Sequence, residues 1–135
     1  MKSLLPIAIV LAITSAYGIW YQRSRGVIKA KNKAGIITPE MIGGAFGSRA
    51  TLVQFSSAFC TPCRATRALL ENVVEGLRDV VHIDIDAEDN LELVRELKIL
   101  STPTTLILDS TGHEVGRAVG APKREQVLNA LDAIR

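Results

Sequence analysis

The charge-free segment "LLPIAIVLAITSAYGIWY", residues 4 to 21, constrains this chain most. As a helix, eighteen residues at about 1.5 Å each span roughly 27 Å, close to the thickness of a bilayer's hydrocarbon core. A buried core helix is disfavoured, because no polar face interrupts the segment. We therefore expect a transmembrane anchor over residues 4–21. A cleaved secretory signal is the alternative, although Lys2 is the only charged side chain before the segment.

Positively charged residues cluster directly after this segment. Five of them lie within thirteen residues of Trp20: Arg23, Arg25, Lys29, Lys31 and Lys33. Lysine and arginine close to a span stay on the cytoplasmic side of a membrane. The pattern predicts a single-pass protein of the cell membrane with a cytoplasmic C-terminal domain, and an extracytoplasmic domain is the alternative. Residues 22–35 are polar, basic and without apolar periodicity, and we predict a linker there.

Residues 36–135 have the mixed pattern of a folded domain. Their ten Lys/Arg and fourteen Asp/Glu give a net charge of −4, and no basic stripe with interleaved aromatic residues occurs. This composition argues against a nucleic-acid partner. About 100 residues can bury one core, so we expect one domain, and we expect it to be a monomer.

Apolar runs alternate with helical periodicity along this domain. Strands are predicted over 51–57, 80–86, 104–109 and 114–120, with a short edge strand at Ile36-Ile37. Helices are predicted after Thr38-Pro39, over 63–79, over 90–97 with Leu91 facing inward, and from Pro122. The alternation indicates an α/β fold with a mixed, mainly parallel central sheet flanked by helices.

Both cysteines of the chain lie in the short motif "FCTPC", residues 59 to 63. Cys60 falls between a predicted strand and a predicted helix, where unpaired N–H groups and the helix dipole favour a thiolate. The two-residue spacer allows Cys63 to close a small disulfide ring, and Pro62 fits the first helical turn. A cysteine placed in this way can attack a disulfide and then be released by its neighbour.

Other uses of two cysteines have to be weighed. A structural zinc site needs four ligands, and the two histidines, His82 and His113, do not have zinc-finger spacing. A purely structural disulfide over so short a ring removes little entropy from the unfolded chain. A copper-handling pair of thiolates remains a third alternative. We expect neither a bound metal nor an organic cofactor, only the redox-active Cys60–Cys63 pair.

A second motif, "STPTTLILD", places Thr102-Pro103 at the start of a predicted core strand. A proline at this position cannot donate to the strand ladder. If the Thr102–Pro103 bond is cis, the chain turns sharply and presents the backbone of Thr102. The alternative is a trans proline that simply begins the strand.

With these blocks in order, the sequence resembles the thioredoxin family. The resemblance rests on "TLVQFSSAFCTPCRATRALLENV", "VVHIDID", "NLELVRELKILSTPTTLILD" and "TGHEVGRAVGA", and it covers roughly residues 36 to 135. It implies a thioredoxin fold and reversible dithiol/disulfide exchange. It also implies that Cys60 is the exposed nucleophile, that Cys63 is the buried resolving thiol, and that Pro103 is a cis-proline facing them.

The resemblance implies a substrate site around the disulfide as well. Its residues would be Phe59, Thr61, Pro62, Thr102 and Pro103, with the Thr102 backbone pairing to an extended substrate segment.

The sequence departs from the family in the strand before the motif. Ser56-Ser57 replaces a Trp-Ala pair, and Gln54 stands where thioredoxins carry a buried aspartate that exchanges a proton with the resolving cysteine. His82 aligns with the companion lysine. Both are therefore candidates for proton transfer, with a purely structural His82–Gln54 hydrogen bond as the alternative.

These features predict a membrane-anchored thiol:disulfide oxidoreductase that reduces or exchanges protein disulfides. Its partners would be protein disulfide substrates, an upstream electron donor, and the lipid bilayer through residues 4–21. One alternative is an extracytoplasmic thioredoxin-like protein that serves cytochrome c maturation or disulfide correction. Another is a non-enzymatic metal-binding module with two thiolates.

Overall fold

A computed structural model of the chain describes residues 4–24, 28–29 and 35–134. Helix α1 comprises Leu4–Ser24, three residues longer than the predicted span. Its side chains are exposed as far as Arg23, and Tyr17 contacts the rings of Trp20 and Tyr21 near its C-terminal end. A helix of this length and apolar composition fits a membrane span or a signal sequence.

The remaining elements follow in chain order. They are β1 (Ile28–Lys29), α2 (Pro39–Ile42), β2 (Ala50–Ser56), α3 (Thr61–Glu75), β3 (Val80–Asp86), α4 (Leu91–Glu96), β4 (Thr104–Asp109), β5 (Glu114–Val119) and α5 (Arg124–Asp132). The four longer strands and the helices that separate them were predicted. Strand β1 was not: it lies inside the segment predicted as a linker, of which residues 25–27 and 30–34 lie outside the described residues.

The strands form one mixed sheet in the order β1-β5-β4-β2-β3. Among the described strands, only β2 and β3 pair in parallel, whereas the pairs β2–β4, β4–β5 and β1–β5 are antiparallel. The prediction of a mixed sheet is confirmed, but the expected excess of parallel pairs is wrong. Alternation of strands and helices along a sequence does not reveal that β4 enters the sheet from the opposite end to β2.

Two apolar clusters hold the helices on the two faces of this sheet. Helices α3 and α5 pack on one face, around buried Leu52, Leu70, Ile107, Val127 and Leu131. Helices α2 and α4 cover the other face, around Ile42, Val53, Phe55, Ile99 and Leu106. The predicted inward orientation of Leu91 is wrong, since its side chain is 54% exposed. Leu93, Val94 and Leu97 make the contacts of α4 instead.

Ile36 and Ile37 do not form the predicted edge strand. Ile37 makes one backbone hydrogen bond, from its N–H to the Gly112 carbonyl at 2.9 Å, while its side chain is buried in the core. Gly112 has a φ of 90°, and a Cβ there would lie 2.1 Å from the Ile37 carbonyl oxygen. The edge of β5 that does not face β4 pairs with β1 instead.

Candidate functional site: a disulfide at the start of a helix

The connection from β2 to α3 carries both cysteines. Cys60 is the N-cap residue of α3, and Cys63 lies in the first turn, as the sequence predicted. The two form a disulfide with an S–S distance of 2.05 Å, and the N–H of Cys63 points to the Cys60 sulfur at 3.1 Å. When the pair is reduced, this N–H and the positive end of the helix dipole would stabilise a thiolate at Cys60.

The two cysteines differ in their access to solvent. Cys60 is 9% exposed and Cys63 is 1% exposed. The difference has the direction that the family resemblance implies, although Cys60 is less open than an exposed nucleophile was expected to be. Phe59, the residue before it, is 98% exposed, and Thr61 and Pro62 are also exposed. An incoming group can therefore approach the Cys60 side of the disulfide but not Cys63.

The loop before β4 lies beside this connection. The Thr102–Pro103 bond is cis, as the family resemblance implied. The hydroxyl of Thr102 lies 3.1 Å from the hydroxyl of Ser57, at the end of β2. The carbonyl of Pro103 accepts a hydrogen bond from the N–H of Gly120 at 2.8 Å. These contacts fix the loop between the ends of β2 and β5, next to the cysteine motif.

A layer of polar side chains lies under the first turns of α3. The Gln54 amide, which is fully buried, donates to the Cys63 carbonyl at 2.9 Å and to the Ser56 hydroxyl at 3.0 Å. Ser56 donates to Asp84 Oδ1 at 2.6 Å, and Asp84 also forms an ion pair with Arg67 of α3. The layer thus connects the backbone of the second cysteine with charged groups at the edge of the sheet.

His82 completes this layer on the side of Gln54. Its Nε2 lies 3.1 Å from Gln54 Oε1. Both protons of the Gln54 amide are used in other hydrogen bonds, so Oε1 accepts and His82 Nε2 donates. His82 also lines a surface depression with Glu71, Asn72 and Glu75. The two residues are therefore together below the cysteines, as expected, and Gln54 contacts the backbone of Cys63 rather than its sulfur.

Two buried hydroxyls of the same region have no hydrogen-bond partner among the described residues. They belong to Thr66, 1% exposed on the inner face of α3, and Thr105, 2% exposed on β4 opposite Gln54. Buried polar groups of this kind are often satisfied by an internal water.

Three residues of this layer were not predicted from the sequence: Ser56, Arg67 and Asp84. A signal was present, because Gln54 and Ser56 are polar residues two apart in a strand and therefore share one face of the sheet. The parallel register then places Asp84 beside Gln54. The register could not be fixed from the sequence alone.

Burial lowers the pKa of His82, and the carboxylates of Asp84 and Glu71 oppose this only in part. A histidine with a lowered folded-state pKa binds its proton more readily in the unfolded chain. The contribution of His82 to the free energy of unfolding is therefore fully present above the pKa of the unfolded chain, about 6.5, and it declines as the pH falls below that pKa. We expect the free energy of unfolding of the full chain, measured by urea titration in mild detergent, to decrease between pH 7 and pH 5.5.

The His82→Gln variant should lose most of this decrease. The matched control, His113→Gln, alters an exposed histidine and should retain it, because His82 is still present. An unchanged pH dependence in His82→Gln would contradict the assignment.

Comparison with known proteins identifies the family of this chain. The family model for thioredoxin matches residues 45–133. A thioredoxin from Chlamydia pneumoniae is 33% identical over 97 residues, which cover 72% of this chain and 94% of that one. A thioredoxin from Mycolicibacterium smegmatis is 33% identical over 87 residues, 62% of this chain and 77% of that one.

Solved thioredoxin structures have the same fold. Thioredoxin NaTrxh from Nicotiana alata superposes with a TM-score of 0.59 at 26% identity, over 65% of this chain and 75% of that one. Fasciola hepatica thioredoxin gives 0.58 at 22% identity, over 66% and 84%. The chain belongs to the thioredoxin family and is a thiol:disulfide oxidoreductase.

Proposed function

We propose that this protein is a membrane-anchored reductant of protein disulfides whose domain faces the cytoplasm. The observation that carries the proposal is the Cys60–Cys63 disulfide at the start of α3, accessible from the Cys60 side only. The charge-free helix α1, followed by Arg23 and further Lys/Arg residues, supports the anchor and its orientation. A monomer supplied with electrons by an upstream donor, without metal or organic cofactor, is sufficient for this activity.

The reaction transfers two electrons from the dithiol to the substrate. The Cys60 thiolate attacks one sulfur of the substrate disulfide and releases the other as a thiolate, which gives a mixed disulfide. Cys63 then loses its proton and attacks the Cys60 sulfur. The substrate leaves with both of its sulfurs reduced, and the Cys60–Cys63 disulfide is restored. A donor of two electrons and two protons must reduce it again.

Substrate binding is proposed for the residues that surround the disulfide: Phe59, Thr61, Pro62, Thr102 and Pro103. The exposure of the first three supports contact with an incoming chain. The Thr102–Ser57 hydroxyl contact keeps the Pro103 loop beside the cysteines. An extended substrate segment lying along the Thr102 backbone would then present its sulfur to Cys60.

For Gln54 and His82, the hydrogen-bond directions favour positioning over proton transfer. Gln54 holds the backbone of Cys63, and the His82 nitrogen that faces it already carries a proton. An aspartate at position 54 would supply a base at this place. We expect Gln54→Asp to accelerate the release of a substrate from its mixed disulfide, because a carboxylate near Cys63 can take the thiol proton.

The rate of this release, measured against pH by stopped flow, distinguishes a positioning role of His82 from a role as the base. His82→Leu should leave its pH profile in place if the histidine only orients Gln54. A loss of rate near pH 7, together with a flattened profile, would establish His82 as the base.

Labelling of the cysteines in intact cells tests the proposed topology. The chain has two cysteines only, so a membrane-impermeant thiol reagent applied after reduction reports the location of the domain. We expect labelling only after the cells are opened. Labelling from outside would reject the cytoplasmic placement and support the extracytoplasmic alternative. Replacing Arg23 and Arg25 by glutamine should weaken the orientation, whereas the same change at Arg64 and Arg78, far from the span, should not.

A further inference from the structure

Strand β1 determines which end of the domain lies near α1. It pairs antiparallel with β5, with Ile28 opposite Ala118 and Lys29 opposite Arg117. On the same sheet, Phe55 of β2 lies level with Thr104 of β4 and Val119 of β5. These three positions mark the end of the sheet that leads into Cys60, which we call the active-site end. The chain coming from α1 therefore enters the domain one residue from this end.

After β1 the chain leads toward the opposite end of the sheet. Ile37 is held there by Gly112, in the turn between β4 and β5. Without the β1 pairing, Ile37 would be the first residue attached to the domain. The tether would then reach the end of the sheet that is farthest from the cysteines.

Ile28 is held in place by apolar contacts as well as by strand pairing. Its side chain is partly buried against the cluster under α5. It lines a cavity of about 600 Å³ between β5 and α5, together with Ile107, Val115, Ala130 and Ile134. Because removing apolar surface from water is favourable, the partial burial of Ile28 gives β1 a preference for this edge.

The resulting reach of the active site is short. Four residue steps from Ser24 to Ile28 cover at most about 14 Å, at about 3.5 Å per step. Three strand spacings from β1 to β2 add about 14 Å. The four steps from Ser56, the last residue of β2, to Cys60 add at most about 14 Å more, so Cys60 lies within roughly 45 Å of the end of α1. With β1 released, the thirteen steps to Ile37 alone allow about 45 Å, and the length of the sheet with the same connection to Cys60 adds about 35 Å more.

We propose that the β1 pairing confines this oxidoreductase to disulfides of other membrane proteins that lie close to the bilayer surface, within about 45 Å. The inference rests on the proposed anchoring and reduction of protein disulfides, and it specifies the substrate class. The partner is a membrane protein with a cysteine pair in a segment adjacent to its own span.

Exposed apolar side chains at the active-site end fit such a segment. Phe59 is 98% exposed, Leu100 of the loop before Pro103 is 95% exposed, and Val119 is 49% exposed. Tryptophan and tyrosine are enriched where a membrane span meets the headgroup region. These three side chains offer them contacts on the side of the domain that the tether holds near the bilayer.

A comparison of two disulfide reporters tests the inference. The full chain is reconstituted in lipid vesicles, reduced with dithiothreitol and freed of it, so that each molecule reduces one disulfide. Both reporters have a membrane span: one carries its disulfide directly beside the span, and the other carries it beyond a rigid 40-residue helix of about 60 Å. A soluble protein disulfide measures the intrinsic activity of each variant.

We expect the near reporter to be reduced at least about tenfold faster than the far one, because the tether sets the local concentration of the site. Ile28→Asp should bring the ratio toward one without changing reduction of the soluble disulfide. Ile36→Asp, the same change at an isoleucine that is 61% exposed, should keep the ratio. A flexible 20-residue insertion after Ser24, which leaves the domain unaltered, should also bring the ratio of the two rates toward one.

Equal rates for both reporters, with normal reduction of the soluble disulfide, would overturn this inference and leave the proposed activity intact. A ratio that survives both Ile28→Asp and the insertion would overturn it too. Failure to reduce the soluble disulfide would overturn the proposed function itself, and the inference with it.

Discussion

Replacing Cys60 by serine should lower the rate of disulfide reduction by on the order of a thousandfold or more, because it removes the proposed nucleophile. Cys63 cannot substitute for it, since Cys63, in the first turn of α3, is only 1% exposed. The measurement is the single-turnover reduction of a protein disulfide by the pre-reduced full chain. The Cys60→Ser variant should also form no mixed disulfide with a substrate.

Cys63→Ser is the matched variant, and its expected behaviour is different. Cys60 can still attack, but the step that releases the substrate is blocked, so the mixed disulfide should accumulate and appear on non-reducing gels. Accumulation in Cys60→Ser rather than in Cys63→Ser would reverse the assigned roles. Equal alkylation rates of the two thiols near pH 7 would also contradict them.

The second large effect concerns stability. Arg117 of β5 forms a bidentate ion pair with Glu114, at 2.7 and 2.9 Å, and the Glu114 side chain is fully buried. Arg117 also donates to the carbonyls of Leu97 and Lys98, directly after α4. Arg117→Met removes the guanidinium that neutralises a buried carboxylate, and it should lower the free energy of unfolding by about 3–5 kcal/mol.

Urea unfolding measures this loss. Arg95→Met removes an exposed arginine of α4 and should cost less than about 1 kcal/mol. The double variant Glu114→Met/Arg117→Met should recover part of the loss, because no buried charge remains. A cost for Arg117→Met no larger than that of Arg95→Met would show that the pair contributes little.

Much of the fold follows from local patterns. The bounds predicted for β3 and β4 agree with the structure. Each strand is a short apolar run bounded by turn residues, and this pattern is typical of a buried strand. The cysteine motif could be recognised as a redox pair because two cysteines separated by two residues at the start of a helix fit few other kinds of site. The position of Cys60 as N-cap of α3 followed from the same boundary between strand and helix.

The features that the sequence did not reveal depend on distant contacts. Strand β1 has only two residues in a basic segment, and the apolar groove that receives Ile28 comes from β5 and α5, about 90 residues later in the chain. The hydrogen bonds of Ser56 and the ion pair of Arg67 require the register of β2 with β3. Leu91 has the spacing of a core residue. It is the first residue of α4, a helix of six residues, and this end of the helix lies outside the core.

The reduction potential of the Cys60–Cys63 pair in the full chain, measured by equilibration with glutathione, distinguishes a reductant of protein disulfides from an oxidant. A reductant requires a low potential, and we expect a value near about −270 mV, like that of thioredoxin. A value between about −180 and −120 mV would contradict it, because such a pair would act as an isomerase or an oxidant of protein thiols.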